Sequence, residues 1–184
     1  MTTTDLNSPD LTWLTHGIAG SDLPARMVML HADPERQTRS VVVEFPDGWR
    51  RDAVGHQPAG EDMVLLSGAL TISGATATER DLLSVEPRAT RSATSVADGT
   101  RAVVWFSGPG GGWTDGPAAD AGALTVTPLS ADLTGPVTAH DRLDGTSYDH
   151  DVEVVWLDSQ RWAHVPAGAP VPSVDGRAVV RHWD

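Results

Sequence analysis

The chain alternates short apolar runs with clusters of Gly, Pro, Asp and Ser, a pattern typical of barrels or sandwiches built from short strands. No segment keeps a 3.6-residue apolar period over a convincing length, so the pattern predicts an all-β protein with very little helix. Pro46-Asp47-Gly48, Asp98-Gly99 and Asp175-Gly176 each predict a hairpin turn, because each offers a residue that tolerates positive φ. The expected strands are Arg26–His31, Thr38–Phe45, Asp62–Ile72, Leu82–Glu86, Arg101–Phe106, Ala123–Thr127, Val152–Leu157, Arg161–Val165 and Arg177–His182.

Two parts of the chain resemble each other. Ser84–Phe106 and Ala163–Trp183 share the order strand, proline corner, short loop, Asp-Gly turn and Arg-Ala-Val-Val strand. Upstream, EDMVLLSG from Glu61 parallels EVVWLDSQ from Glu153, a register that matches the two glutamates. This repeat predicts a first unit over residues 1–110 and a shortened second unit over residues 111–184 that packs on the first.

The glycine run that begins at Gly108, between the two parts, is interpreted as a flexible linker. The alternative is a phosphate cradle, which requires a strand-to-helix junction and the Lys-Ser/Thr pair that follows it. The sequence has neither feature at this point.

Charge and composition restrict the possible functions. The 13 basic residues are all arginine and face 25 Asp and Glu, which gives a formal net charge of −12. Nucleic-acid affinity depends on neutralising phosphates, so no nucleic-acid partner is expected. The absence of lysine excludes a Schiff-base lysine, and the absence of cysteine excludes disulfides and thiolate sites. Without a long apolar run or a secretory signal at the N-terminus, the chain is expected to be cytoplasmic and to have no membrane partner.

The stretch GWRRDAVGHQPAGEDMVLLSG, from Gly48 to Gly68, resembles the first conserved motif of the cupin superfamily. That motif reads G, five residues, HxH, three or four residues, E, six residues, G. His56 and Glu61 fall at the second histidine and the glutamate, whereas Val54 stands at the first histidine.

The second cupin motif reads G, five residues, PxG, two residues, H, and DLLSVEPRATRS resembles it. Pro87 matches, and Ser92 stands at the position of the metal-binding histidine. The resemblance implies a jelly-roll barrel, or double-stranded β-helix, whose interior is the site. With the repeat, it implies a shortened bicupin that is similar to the ChrR-like cupins, with a degenerate metal site.

The resemblance places His56 and Glu61 at the pocket, and this pair leaves three interpretations open. The histidine and glutamate could act as an acid/base pair in a metal-free pocket, for a lyase, isomerase or cyclase step without a cofactor. They could hold Fe or Mn in a dioxygenase, although metal sites normally need three or more protein ligands. They could also form a structural hydrogen bond. A non-catalytic, ligand-sensing module is a further alternative.

The substrate-binding residues expected around this pair are Trp49, Val54, Arg91, Ser92 and Trp105. Val54 and Ser92 would make a less polar pocket for a small organic molecule. Arg91 could anchor a carboxylate or enolate if it turns inward, but strand alternation permits either Arg91 or Ser92 to do so, and an exposed Arg91 is the alternative. Trp105, in an apolar strand, is interpreted as a core residue or part of the pocket wall.

The other expectations concern partners and the remaining histidines. Trp13, Trp49, Trp113 and Trp183 lie near turns or termini, where they could line a pocket mouth or a dimer interface. A homodimer is expected. The loop from His140 to His150 is rich in oxygen ligands, which fits a divalent ion or a solvated turn. His16 and His182 are scattered singly and are expected at the surface or as satisfied strand residues.

Overall fold

The computed structural model describes residues 2–183, and this range contains strands but no α-helix. The prediction of an all-β chain is therefore confirmed. No helix in residues 2–183 has the length and apolarity needed to cross a membrane. The strands are β1 (Thr4–Asp5), β2 (Leu14–His16), β3 (Ala25–Asp33), β4 (Thr38–Glu44), β5 (Arg50–Arg51), β6 (Gly55–His56), β7 (Gly60–Ser67), β8 (Ala69–Ile72), β9 (Ala75–Thr78), β10 (Asp81–Val85), β11 (Thr94–Val96), β12 (Arg101–Ser107), β13 (Thr114–Asp115), β14 (Leu124–Pro128), β15 (Val137–His140), β16 (Asp151–Trp156), β17 (Arg161–Val165) and β18 (Ala178–Trp183).

Thr12–Thr127 forms the first of two compact units. Its large sheet has the order β14-β10-β7-β12-β4-β3-β2, its second sheet the order β5-β11-β8-β9, and β6 pairs with β13. The pairings between these strands are antiparallel. Because side chains alternate along a strand, β4 directs Val41 and Val43 into the core while Ser40 and Val42 lie on the other face.

The core of the first unit lies between these sheets. It contains Trp49 and Phe45 beside aliphatic residues of β4, β7, β8, β10 and β12. The ring centroids of Phe45 and Trp49 are 4.8 Å apart, and the Trp49 Nε1–H donates to the carbonyl of Leu23 at 2.9 Å. A buried indole needs such an acceptor, so this bond fixes the orientation of Trp49.

The expected strand over Asp62–Ile72 is two strands, β7 and β8, which belong to different sheets. Gly68 separates them with a φ of 79°. A Cβ at this position would lie 2.3 Å from the Thr100 hydroxyl oxygen, so both the conformation and the space require glycine. The other expected strands are present, with ends that differ by a few residues.

The second compact unit combines the segment up to Leu11 with the segment from Pro128 on. Its sheet has the order β1-β17-β16-β18-β15. This division differs from the expected units 1–110 and 111–184. The N-terminal strand β1 pairs with β17, and β14 joins the sheet of the first unit next to β10.

The repeat is present in both sheets, but its register differs from the expected one. In the first unit Phe106 pairs with Glu61, and the corresponding His182 pairs with Val152. Glu153 therefore corresponds to Asp62 and not to Glu61. A shift of one residue exchanges the faces of a strand. Glu153 is fully buried and accepts hydrogen bonds from the indoles of two tryptophans, Trp162 at 3.0 Å and Trp183 at 3.3 Å.

Candidate functional site

The first unit contains a cavity of about 490 Å³. This volume is in the range of small-molecule sites, which are mostly apolar with a few polar groups. Most of the wall is apolar, and the polar side chains on it are Arg39, Arg51, Gln57, Glu61, Thr94 and, near the exposed end, His16. The apolar side chains are Leu14, Ile18, Ala19, Met27, Met29, Val41, Val43, Phe45, Trp49, Met63, Leu70, Ile72, Val104, Phe106 and Trp113.

Glu61 supplies the carboxylate of the cavity wall. Its Oε1 accepts from Arg91 Nη2 at 3.1 Å and also accepts a short hydrogen bond from the Gln57 side-chain amide. Its Oε2 has no hydrogen-bond partner among residues 2–183. The Glu61 side chain is 13% exposed and that of Arg91 is 1% exposed, so the pair is held in a largely water-excluded position. One oxygen is thus fixed and the other is open to a ligand.

Arg51 is a buried cation on the same wall. Its Nη2 lies 3.4 Å from the Thr94 hydroxyl, and its guanidinium carbon lies 4.5 Å from the centre of the Trp113 ring. Its buried Nε has no hydrogen-bond partner in the described part of the chain. Burial lowers the pKa of Arg51 to about 10; attraction to Glu61 opposes this change, and repulsion from Arg91 adds to it.

Arg39 is the second guanidinium on the wall. It lies 4.2 Å above the Phe106 ring, and its Nη1 donates to the Gly108 carbonyl at 3.4 Å. Burial lowers the pKa of Arg39, against the attraction of Glu61. The sequence carries a signal for this position. Arg39, Val41 and Val43 are alternate residues of β4, so their side chains lie on the same face of the strand.

The glycine run forms part of the cavity wall, which corrects its interpretation as a flexible linker. Gly111, Gly112 and Trp113 line the cavity, and the following strand β13 pairs with β6. The indole of Trp113 packs over Gly55, where a Cβ would lie 2.3 Å from the ring. The indole Nε1–H donates to Asp115 Oδ1 at 2.9 Å. Sequence reasoning did not identify Gln57, Arg39 or Arg51 as site residues, whereas Trp113 was expected at a pocket mouth or a dimer interface and lines the cavity.

The structure does not place His56 on the cavity wall, contrary to expectation. Its Nδ1 lies 3.1 Å from the Gly116 carbonyl, and β6, which carries it, pairs with β13. The next residue, Gln57, faces the cavity instead. Since neighbouring side chains on an extended segment point to opposite sides, His56 and Glu61 do not form the expected pair.

The expected substrate-binding residues divide into two groups. Trp49 lines the cavity, and Arg91 turns inward to support Glu61, so the alternative of an exposed Arg91 is excluded. Val54 is 44% exposed, and the Ser92 hydroxyl contacts that of Ser73 at 3.3 Å; neither lines the cavity. Trp105 is buried on the face of β12 opposite to Val104 and Phe106, so it is not a cavity residue.

The polar end of the cavity does not fit a divalent cation. Residues 2–183 contain no group of three or more His, Asp or Glu side chains suited to a metal ion. Glu61 is the carboxylate on this wall, and its Oε1 is already paired with Arg91. Two further guanidiniums, Arg39 and Arg51, line the same cavity and would repel a cation. The donor set of a metal-dependent cupin is therefore missing here, and no reaction step is derived through a metal.

Three histidines of the second unit form a hydrogen-bonded group: His182 of β18, expected at the surface or as a satisfied strand residue, with His140 and His150, which were expected only to flank a loop. His150 Nε2 lies 2.9 Å from His182 Nδ1, and His182 Nε2 lies 3.0 Å from the Thr138 hydroxyl. The same hydroxyl lies 3.1 Å from His140 Nε2. His16, also expected at the surface, is exposed but lines the cavity of the first unit.

No protein-family model matches the chain, and no curated protein sequence matches it. Several solved structures are similar in fold. A protein of Nostoc punctiforme, provisionally described as a dioxygenase, superimposes with a TM-score of 0.72 at 11% identity, over 98% of this chain and 81% of that one. Protein Ylba of E. coli has a TM-score of 0.54 at 12% identity, over 91% of this chain and 85% of its own.

A protein of unknown function from Pseudomonas syringae has a TM-score of 0.54 at 13% identity, over 96% of this chain and 94% of its own. At these identities the similarity establishes the fold and not the activity. These neighbours are cupin-fold proteins, and the antiparallel sheets of this chain enclose the type of interior cavity that the motif resemblance implied. The chain therefore has the cupin jelly-roll fold.

Proposed function

We propose that the protein is a metal-independent cupin-fold enzyme that binds a small organic molecule in the cavity of the first unit. Its reaction is a proton transfer of the lyase, isomerase or cyclase type, with Glu61 as the general base. The observation that carries the proposal is the asymmetry of the Glu61 carboxylate. Oε1 is held by Arg91 and Gln57, while Oε2 has no partner in residues 2–183.

The chemistry follows from these contacts. A general base must lie within hydrogen-bond reach of the proton it removes, and the cavity gives a ligand access to Glu61. When Oε2 removes a proton from a carbon beside a carbonyl, the C–H electron pair moves into an enolate. The guanidiniums of Arg39 and Arg51, on the same wall, stabilise the negative charge that develops on the enolate oxygen.

The proton then has two possible destinations. Its return to another carbon gives an isomerisation, and expulsion of a β-leaving group that takes up the proton gives a lyase reaction. Neither step requires an oxidant or a metal. The apolar wall excludes water, which strengthens the interaction between the enolate and the guanidiniums. Glu61 thus takes the acid/base role for which His56 was considered.

The donor set favours metal independence over the Fe- or Mn-dependent dioxygenase alternative. A third ligand near Glu61 would be needed, and the positions around it are occupied by Arg39, Arg51 and Arg91. Guanidiniums cannot act as metal ligands at neutral pH, because they are protonated there and have no lone pair to donate.

Proton exchange between a ligand and deuterated solvent tests the proposal. We would incubate a panel of small C–H acids, including 2-oxohexanoate, with the protein in D₂O and follow the loss of the α-proton signal by ¹H NMR. The wild-type protein should exchange protons above the buffer rate, and E61Q should not. The matched control is E79Q, a change to an exposed glutamate, which should exchange like the wild type.

Two results would contradict the proposal. One is exchange at the buffer rate for every compound in the panel. The other is wild-type exchange by E61Q. Ligand binding without any exchange would favour the non-catalytic, ligand-sensing module.

The assembly of the chain and its cellular location are proposed separately. The prediction of a homodimer stays open to light scattering at micromolar concentration, where a monomer would contradict it. The prediction of a cytoplasmic protein rests on the sequence and needs a localisation experiment.

A further inference from the structure

We infer that the ligand of the first unit is a small organic monocarboxylate, whose carboxylate binds at the guanidiniums of Arg39 and Arg51 while its apolar body fills the barrel. This inference rests on the proposed function, because it names the class of molecule that Glu61 acts on.

The guanidiniums of Arg39 and Arg51 both have N–H donors that are available for a further hydrogen bond. Among residues 2–183, neither Arg39 nor Arg51 forms an ion pair with a carboxylate. The Arg39 hydrogen bond to Gly108 and the Arg51 hydrogen bond to Thr94 are both 3.4 Å long, and Arg51 Nε has no partner. Buried polar groups are normally hydrogen-bonded, so an unsatisfied guanidinium on a cavity wall indicates a missing acceptor.

Aromatic rings hold both guanidiniums in place. Arg51 lies over Trp113 and Arg39 lies over Phe106, at 4.5 Å and 4.2 Å from the ring centres. A guanidinium stacked on a ring keeps its N–H groups available at its edge, where they match the two oxygens of a carboxylate. The two cations are therefore positioned before a ligand arrives.

The charged groups around Glu61 have a net positive charge. Arg39, Arg51 and Arg91 contribute three positive charges around the single negative charge of Glu61, which leaves a formal excess of two. The whole chain carries −12. Burial of an uncompensated cation is costly, and a bound anion removes that cost. The positive end of this cavity is thus opposite in sign to the protein as a whole.

The apolar part of the cavity wall determines the chemistry of the rest of the ligand. The remaining wall is formed by aliphatic, methionine and aromatic side chains such as Met63, Ile72 and Trp49. A polyanion such as a nucleotide would place its other charges against this apolar surface at a high desolvation cost. A single carboxylate on a short aliphatic or aromatic body satisfies both ends of the cavity.

Isothermal titration calorimetry with two isosteric probes tests the inference. Hexanoate and its neutral analogue hexanamide have the same apolar body, so the difference in their affinities measures the contribution of the charge. We expect hexanoate to bind at least 10-fold more tightly than hexanamide. R51M and R39M should each weaken hexanoate binding at least 10-fold and change hexanamide binding by less than 3-fold.

The matched control is R88M, which removes an arginine that pairs with Asp120 on the surface, and it should bind both probes like the wild type. Equal affinities for the two probes, or no binding of hexanoate at 10 mM, would overturn the inference. The comparison of probes uses the wild-type protein, so it decides the question even if an arginine variant fails to fold. The titration contains no catalytic step. Hexanoate selectivity without proton exchange would therefore reject the proposed enzyme activity and retain the anion site.

Discussion

Arg91 donates to Glu61 across 3.1 Å, and this ion pair joins a fully buried guanidinium to the carboxylate of the cavity wall. Glu61 stands at the glutamate position of the first cupin motif, where a metal ligand is expected in metal-dependent members. Its pairing with Arg91 gives the carboxylate a different partner. The fold is that of a cupin, while the partner of the carboxylate at this position is a guanidinium.

The first prediction is that R91M lowers the free energy of unfolding by about 3 kcal/mol. The substitution leaves the Glu61 carboxylate without its cation in a largely buried position, and breaking a buried pair from one side typically costs 3 to 5 kcal/mol. Urea denaturation followed by tryptophan fluorescence measures the change. R88M breaks the exposed Arg88–Asp120 pair and should cost about 1 kcal/mol or less. Equal losses in the two variants would contradict the structural role of Arg91.

Strand alternation and the motif spacing predicted much of the fold. The period of two in β4 identifies Val41 and Val43 as core residues, and the paired Arg-Ala-Val-Val strands predict the central strands of the two sheets. The register of the second unit was not predictable in this way, because EDMV and EVVW align equally well in two registers. The two registers differ by one residue, and the register decides whether Glu153 or Val152 occupies the position that corresponds to Glu61.

The site was less predictable than the fold. The motif located Glu61, but the turn before it rotates His56 outward and Gln57 inward. Arg51 and Trp113 are distant in sequence and meet only because β6 and β13 pair. Long-range packing of this kind leaves no local pattern in the sequence, and the glycine run by itself is typical of a linker.

The second prediction concerns the packing of the Trp113 indole against Gly55. G55A should displace the indole from the cavity wall, because the added Cβ would lie 2.3 Å from the ring. Since Trp113 supports the guanidinium of Arg51, hexanoate affinity should fall about 10-fold. Calorimetry and the tryptophan emission spectrum measure both effects. G17A is the matched control, because Gly17 lines the same cavity with no atom within 4 Å of the added group. Unchanged emission and affinity in G55A would contradict this packing.

The third prediction is that R51M stabilises the protein at pH 7 by about 1 to 2 kcal/mol while it loses the affinity for hexanoate. Arg51 is a buried cation with an unsatisfied Nε, and replacement of a buried ionic group by an apolar one is often stabilising. The expected gain is smaller than the full cost of burial because the contact with Trp113 is weakened. Urea denaturation measures it. A loss of stability in R51M would show that Arg51 serves the fold and not a ligand.

The fourth prediction is that hexanoate affinity falls as the pH rises through about 10. The pKa of Arg51 is lowered to about 10 in the folded protein, so its positive charge is lost at a lower pH than in the unfolded chain. Between the pKa of Arg51 in the folded protein and its higher pKa in the unfolded chain, the unfolded chain binds more protons. The free energy of unfolding therefore rises with pH in this range, and loss of the charge on Arg51 does not itself destabilise the fold. Burial also lowers the pKa of Arg39, the other guanidinium on this wall, so its charge changes in the same direction.

Calorimetry at pH 8 and pH 10.5 provides the measurement, and hexanamide serves as the uncharged control. Circular dichroism at both pH values establishes that the fold is intact. Equal hexanoate affinity at the two pH values would contradict a charge contribution from Arg51.

The most direct test of the central claim is the rate of α-proton exchange by the wild-type protein before and after exhaustive chelation, with the metal content measured on the same sample. Because the proposed base is the Glu61 carboxylate and the proposed charge stabilisation comes from Arg39 and Arg51, the rate should be unchanged when Fe, Mn, Ni and Zn are all well below one equivalent. Exchange that is abolished by the chelator and restored by one specific ion would contradict the account and favour the metal-dependent alternative.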